Sequence, residues 1–212
     1  NVWKLGDIVH STPVTVAKPV DNYHIIYGDM SYQAYYDDNR DREAVVYVGA
    51  NDGMLHAFTS YYYNPDTGQY EKPTGRETIG EELWAFIPQA LLPHLKWLPD
   101  PMYGHTYYVD FKPKVFDAKI GEPLTTGGDP TWRTILVCGL NYGGKEIWAE
   151  GEFKPGEGNT TRYFYPSYVA MDITDPQNPV LLWERSYTNL GMTAATPSVI
   201  RIKEDENDQH GK

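Results

Sequence analysis

Gly139-Leu-Asn-Tyr-Gly-Gly144-Lys145 has the spacing of a phosphate-binding loop placed after a strand, and it is the first stretch to test for chemistry. Glu146 stands where a Mg2+-binding hydroxyl is needed, and the residues after it read as strand, not as the helix whose N-terminus would cradle the anion. The segment is therefore read as a hairpin turn. Asp37, Asn39 and Asp41 alternate like the oxygen donors of a calcium loop, yet Arg42 occupies the position that needs Gly and Val48 that of the bidentate Glu. Glu204-Asp-Glu-Asn-Asp208 has charge without the Gly at its sixth place. Both read as solvated turns. The sequence contains no Gly-x-Ser-x-Gly elbow, His-x-x-x-His or Cys-x-x-Cys spacing. His56 is expected to fill a gap opposite Gly49 and satisfy a backbone group, and Cys138, between Val137 and Leu140, to be a buried thiol. Neither a catalytic, a cofactor-binding nor a metal-ligating residue is assigned within the chain. The tyrosine-rich runs Tyr61-Tyr62-Tyr63 and Arg162-Tyr-Phe-Tyr165 suit either an interface or an outer strand, since tyrosine offers large contact area at low entropic cost.

The elements that would hold these residues centre on Ala44–Thr59, two apolar, β-favouring runs around Asn51-Asp52-Gly53. A two-residue Asp-Gly turn would pair Gly49 with His56 and Tyr47 with Phe58, leaving Val46, Val48, Leu55 and Ala57 on the other side. Both faces would be apolar, so both must be covered, as in a blade stacked between neighbours. Further strands are expected within 12–17, opened by Pro13, and at 23–26, 82–87, 106–111, 114–116, 134–140, 147–153, 168–172, 180–184 and 197–203. Residues 37–43 read as a charged connection, 60–80 as a polar loop and 88–98, with Pro88 and Pro93, as two short helical turns.

Repetition decides among the all-β architectures. His56-Ala57-Phe58-Thr59 leads to Gly80-Glu-Glu-Leu-Trp84, and Val169-Ala170-Met171-Asp172 leads to Pro179-Val-Leu-Leu-Trp183. Ser11-Thr-Pro-Val-Thr-Val16 is echoed by Ala195-Thr-Pro-Ser-Val-Ile200. Repeated strand pairs with tryptophan at one register mark a β-propeller, each indole packing on the next blade. Trp84 and Trp183 are expected to be buried at equivalent positions. At 212 residues, with blades of about 40 to 50 residues, three or four blades are expected.

A formal charge of -11 argues against nucleic acid as a partner. Aromatics at 14 % place the chain among globular domains rather than acidic tails. No apolar run approaches the roughly 18 residues of a membrane helix, and the N-terminus lacks a signal-peptide layout. With Asn1 in place of Met and an unpaired last strand, the chain reads as the first part, 1–212, of one propeller domain completed by residues or a chain beyond 212.

Gly6-Asp-Ile-Val-His-Ser-Thr-Pro13, Val46-Tyr-Val-Gly-Ala-Asn-Asp-Gly-Met-Leu-His-Ala-Phe58, Glu82-Leu-Trp-Ala-Phe-Ile-Pro88 and Tyr168-Val-Ala-Met-Asp-Ile-Thr-Asp-Pro176 follow one another in the order of a known family. They resemble the propeller domain of the PilC/PilY family of type IV pilus tip-associated adhesins. Phe111 departs from the family's usual Gly, and Trp148–Pro166 looks like an insertion. The resemblance implies part of a seven-bladed-type propeller with four-stranded blades and loop and short-helix insertions. It also implies a non-enzymatic protein of the pilus tip or outer membrane that supports pilus assembly, adhesion and twitching motility, with minor pilins and surface receptors as partners. The family's calcium loop has no match here and would lie beyond Lys212. The alternative is a quinoprotein dehydrogenase, whose blades carry a similar Ala-x-Asp and Gly-x-x-x-Trp pattern. That enzyme needs a catalytic Asp beside a calcium-bound quinone, and commonly a vicinal cysteine pair, which one Cys cannot supply.

Overall fold

In the computed structural model, which describes residues 5–19, 21–72, 75, 78–126, 128, 130–200 and 202, Pro13 directly precedes strand β1 (Val14–Val16). Its missing N–H costs no ladder bond there. The chain then departs from expectation. Residues Tyr23–Ile26, read as a strand, form one helical turn, α1, entered through Asn22 in the left-handed conformation (φ 56°). Helix α2 (Met30–Asn39) takes in the first three residues of the charged connection, and Asp29 caps it by accepting from the Ser31 and Tyr32 amides. Its packing face is tyrosine. Tyr32 and Tyr35 are buried with Trp132, and the Tyr32 hydroxyl donates to Asp117 at 2.7 Å while that of Tyr35 lies 2.5 Å from Thr134 Oγ1. A helix face with polar tips can be buried because each tip finds a partner.

Strands β2 (Val45–Gly49) and β3 (Leu55–Thr59) form the central hairpin, but its loop has three residues, not two. The Ala50 amide donates to the Met54 carbonyl, the Gly53 amide to that of Ala50, and Gly53 has φ 96°. This is a turn closed by a glycine bulge. The one-residue change turns β3 over: His56 pairs with Val48 and Ala57 with Tyr47. Tyr47, Leu55 and Ala57 now share the face that enters the core, while Val48, His56 and Phe58 take the other. Both faces are largely buried, as the composition required.

The expected polar loop contains a hairpin of β4 (Tyr62–Asn64) and β5 (Gln69–Glu71). After β6 (Glu82–Phe86) comes a single 3-10 helix, Gln89–Trp97, with Pro93 inside it, where two turns were expected. Residues 106–111 form no strand; the Tyr108 and Val109 amides instead donate to Asn51 Oδ1 and the Ala50 carbonyl. The chain continues through β7 (Lys114–Gly121), β8 (Thr131–Cys138), β9 (Ile147–Gly151), β10 (Thr160–Phe164), β11 (Ser167–Asp172) and β12 (Val180–Ser186). The insertion Trp148–Pro166 is the separate β9–β10 hairpin. Of the strand expected at 197–203, the described residues 197–200 and 202 form none, and the acidic run 204–208 lies outside the described residues.

Two four-stranded antiparallel sheets result, ordered β1-β2-β3-β6 and β7-β8-β11-β12. Each is a chain-order meander, and Pro113 precedes β7 as Pro13 precedes β1. Insertions enlarge both blades, so the described residues hold two where length suggested three or four. The tryptophan registers coincide. Ala57 pairs with Trp84 and Ala170 with Trp183, and in both sheets the ladder shifts at the next residue.

The main core lies between the sheets, with Tyr47, Leu55 and Ala57 on one side and Leu136, Cys138, Val169 and Met171 on the other. Trp84 belongs to this layer: it packs on Tyr47 and donates Nε1–H to the carbonyl of Pro176, in the turn joining β11 to β12, at 2.9 Å. Trp183 shares the face of Ala170, on the far side of the second sheet beside Ile135 and Val137. Both indoles thus point onward in the same stacking direction. Trp84 meets a sheet, whereas Trp183 is 37 % exposed, contrary to the expectation that both are buried.

Trp84→Phe removes a partly buried hydrogen bond and leaves a gap between the sheets, so it should cost about 1–3 kcal/mol. Trp183→Phe should cost less than about 0.5 kcal/mol, as for an open surface. Urea unfolding of the 212-residue chain distinguishes them; equal losses would show that the two positions are not packed as described.

Candidate functional site

The turn Asn51-Asp52-Gly53 is also where the polar residues of the fold converge. Asp52 accepts from the Gly6 amide at 2.9 Å and the Met54 amide at 3.1 Å, and both its oxygens lie 3.1 Å from His56 Nε2. The other ring nitrogen of His56 is 2.5 Å from Glu82 Oε1 on the adjoining strand. Asp7 accepts from the Asn51 side chain at 3.3 Å and is 2.8 Å from His105 Nε2. Further along, buried Asp110 receives the His10 amide at 3.0 Å, lies 2.6 Å from His10 Nδ1 and accepts from Asn141 at 2.9 Å. Ser11 Oγ donates to the Phe111 carbonyl and accepts from the Gly49 amide, both at 2.9 Å. Residues 6–11, which belong to neither sheet, are thereby sutured to the hairpin turn and to the segment around Asp110.

His56 has no nitrogen to spare. With the side chain 5 % exposed and both ring nitrogens facing carboxylates, it offers no lone pair to a metal. Its partners are side chains, not the backbone group expected, because the register places it over Val48 and level with Asp52. Burial, the largest influence, depresses its pKa, but the hydrogen bonds and charges of Asp52 and Glu82 together outweigh burial and raise it. Burial likewise pushes Asp52 upward, and the bonds from His56 and the Gly6 amide bring it below the usual carboxylate value. Pairings such as Asp7–His105 and His10–Asp110, about a hundred residues apart, leave no local trace in the sequence.

The other candidates resolve simply. Gly139–Lys145 is a tight turn, with the Gly143 amide donating to the Leu140 carbonyl at 2.8 Å. It joins two sheets, so it is not a hairpin, and strand β9 follows it in place of an anion-binding helix. A Cβ on Gly143 would lie 1.9 Å from the Tyr108 carbonyl, so close backbone approach explains this glycine. Asp37 and Asn39 lie on α2, bonded to Gln33 and the Tyr35 carbonyl, and Asp41 pairs with Arg40. Helical geometry spreads oxygens that an extended loop would converge. Cys138 is buried, and burial pushes its thiol up to about 12. Tyr61, Tyr63 and Tyr163 are exposed, and Tyr165 is half-buried.

The family model described as the PilY1 beta-propeller domain matches residues 5–208. The chain belongs to the PilY1 β-propeller family. A type IV pilus biogenesis factor PilY1 homolog of Xylella fastidiosa is 33 % identical over 193 residues, covering 88 % of this chain and 12 % of the relative. The type IV pilus biogenesis factor PilY1 of Pseudomonas aeruginosa PAO1 is 32 % identical over 207 residues, covering 93 % of this chain and 14 % of the relative. The crystal structure of the Pseudomonas aeruginosa PilY1 C-terminal domain is similar with a TM-score of 0.51 and 29 % identity, over 89 % of this chain and 29 % of that one.

The fold is that of the PilY1 propeller, and the two stacked sheets are propeller blades. The chain spans only about an eighth of the length of these curated relatives. The matched residues include the whole histidine seam and both tryptophan registers. Among the described residues, no helix is long and apolar enough to cross a membrane.

The seam makes stability pH-dependent with a definite sign. His56 has a folded pKa above its unfolded value, so its contribution is complete below about 6.5 and is lost as pH rises through the raised folded value. Asp52 behaves oppositely, its contribution being lost only as pH falls through its depressed value. Urea unfolding at pH 6 and pH 9 should show wild type losing stability at the higher pH. His56→Gln should be weaker at pH 6 by on the order of 1–3 kcal/mol and show a flatter profile. Parallel profiles for the two proteins would exclude His56 as the titrating group.

Proposed function

We propose that this chain forms part of a non-enzymatic type IV pilus-associated protein that acts at the pilus tip or outer membrane in pilus biogenesis, adhesion and twitching motility. The observation that carries the reading is the family match over both blades and the seam between them. Two similar proteins named as type IV pilus biogenesis factors support it. Its partners on this reading are minor pilins, surface receptors and the remaining blades of the propeller. The histidines of the described seam serve the fold: each is engaged by a carboxylate at a position that holds residues 6–11 in place.

Removing this propeller portion from the full-length protein in the source organism should abolish surface pili and twitching. Normal piliation and normal twitching zones in the deletion strain would overturn the pilus assignment. A second arm addresses the dehydrogenase alternative. Protein supplied with pyrroloquinoline quinone and calcium should reduce no dye with alcohols or sugars, and turnover above that of the free cofactor would refute the non-enzymatic reading.

A further inference from the structure

The face built by the β4–β5 hairpin, the end of α2 and the edge strand β1 encloses a cavity of about 550 Å3. We propose that this cavity binds a carboxylate-bearing sugar, a uronic or sialic acid residue. Its walls are aromatic. Tyr36, Tyr61, Tyr63 and Tyr70 line it, and the last three are 52 %, 55 % and 72 % exposed, so folding alone gains little from them. Tyr63 and Tyr70 are direct cross-strand partners whose rings meet edge to face at 5.4 Å, making a rigid corner. Tyrosine offers an apolar ring face to the C–H face of a pyranose and a hydroxyl to its rim, which matches the mixed surface of a sugar.

Charge gives the second half of the argument. Lys18, Arg40 and Arg42 line the same cavity against the single acid Asp41, in a chain whose formal charge is -11. A local cationic pocket on an acidic protein suits one compact anion, because a polyanion such as nucleic acid meets the repulsion of the whole surface. Arg42 is fixed in advance: Nε donates to the Ala17 carbonyl and a terminal nitrogen donates to Thr134 Oγ1 at 2.8 Å. Immobilised donors bind with less loss of freedom. Arg40 pairs with Asp41 at 3.4 Å in the open, an exposed pair of little energetic value that a ligand can re-partner. An arginine beside a carboxylate supplies the planar, paired donors that a sugar acid needs.

The volume suits one or two sugar rings, within the roughly 300–1,000 Å3 of small-molecule sites. An acidic peptide adding to the sheet is a poorer fit, because β1 offers only three residues of edge. On the pilus reading the cavity is an adhesive contact. Its test requires no pilus, so a failure here leaves that reading standing.

The 212-residue chain is titrated calorimetrically with 3′-sialyllactose, digalacturonic acid and neutral lactose. At least one acidic probe should bind tenfold or more tightly than lactose, and which one does so identifies the source of the carboxylate. Tyr70→Ala and Arg40→Gln should each weaken that binding at least tenfold with an unchanged melting temperature. Tyr163→Ala, on the separate β9–β10 hairpin, should leave it unaltered. The proposal is overturned if folded protein binds neither acid, if lactose binds as well, if the two substitutions have no effect, or if a glutamate-rich peptide outcompetes both acids.

Discussion

A four-stranded sheet that is apolar on both faces must be covered on both faces, and this requirement organises the rest of the molecule. Between the two sheets it is met by a continuous layer from Tyr47 and Leu55 across to Leu136 and Met171. Trp84 helps to fix the relative placement of the two layers. Its ring packs on Tyr47 of the first sheet, while its N–H reaches the carbonyl of Pro176 in the β11–β12 turn of the second. Hydrophobic burial is non-directional, so directed hydrogen bonds of this kind, with those from Arg42 to Thr134 and from the Ala90 amide to Glu184, select one seating among many of similar area.

The outer edges are finished by polar chemistry. Helix α2 docks on the second sheet through tyrosine hydroxyls that end on Asp117 and Thr134. Residues 6–11 dock through acid and histidine pairs, with the buried Asp110 accepting three hydrogen bonds. Buried polar groups of this kind are satisfied or costly, so they specify geometry more narrowly than the apolar layer does. The same chain leaves a cationic, tyrosine-walled cavity beside the β4–β5 hairpin, where Tyr61, Tyr63 and Tyr70 stay more than half exposed.

The strands that alternate over a core were legible before any coordinates, and so was the tryptophan repeat, because their signals are local and periodic. What failed was local too, but ambiguous. Four residues, Tyr23–Ile26, are too few to distinguish a helical from an extended period, and the packing face of α2 is built from tyrosine, which hydropathy reads as mixed. The β4–β5 strands are largely exposed and lack the alternation that marks a half-buried strand. One bulge residue, Gly53, moved His56 from a place opposite Gly49 to one opposite Val48.

By itself the sequence determined the β class, the repeat unit, the family and the buried thiol at Cys138, since each follows from residue type and short-range order. Only the tertiary structure decided which carboxylate meets which histidine, that Trp84 is covered while Trp183 is not, and that four tyrosines and three cations share one cavity. The reason is physical: these are contacts between segments tens to a hundred residues apart, and their partners are chosen by strand register and sheet stacking. Register depends on the length of a single turn, so one residue at Gly53 changed every pairing on β3 without altering the composition that identified the strand.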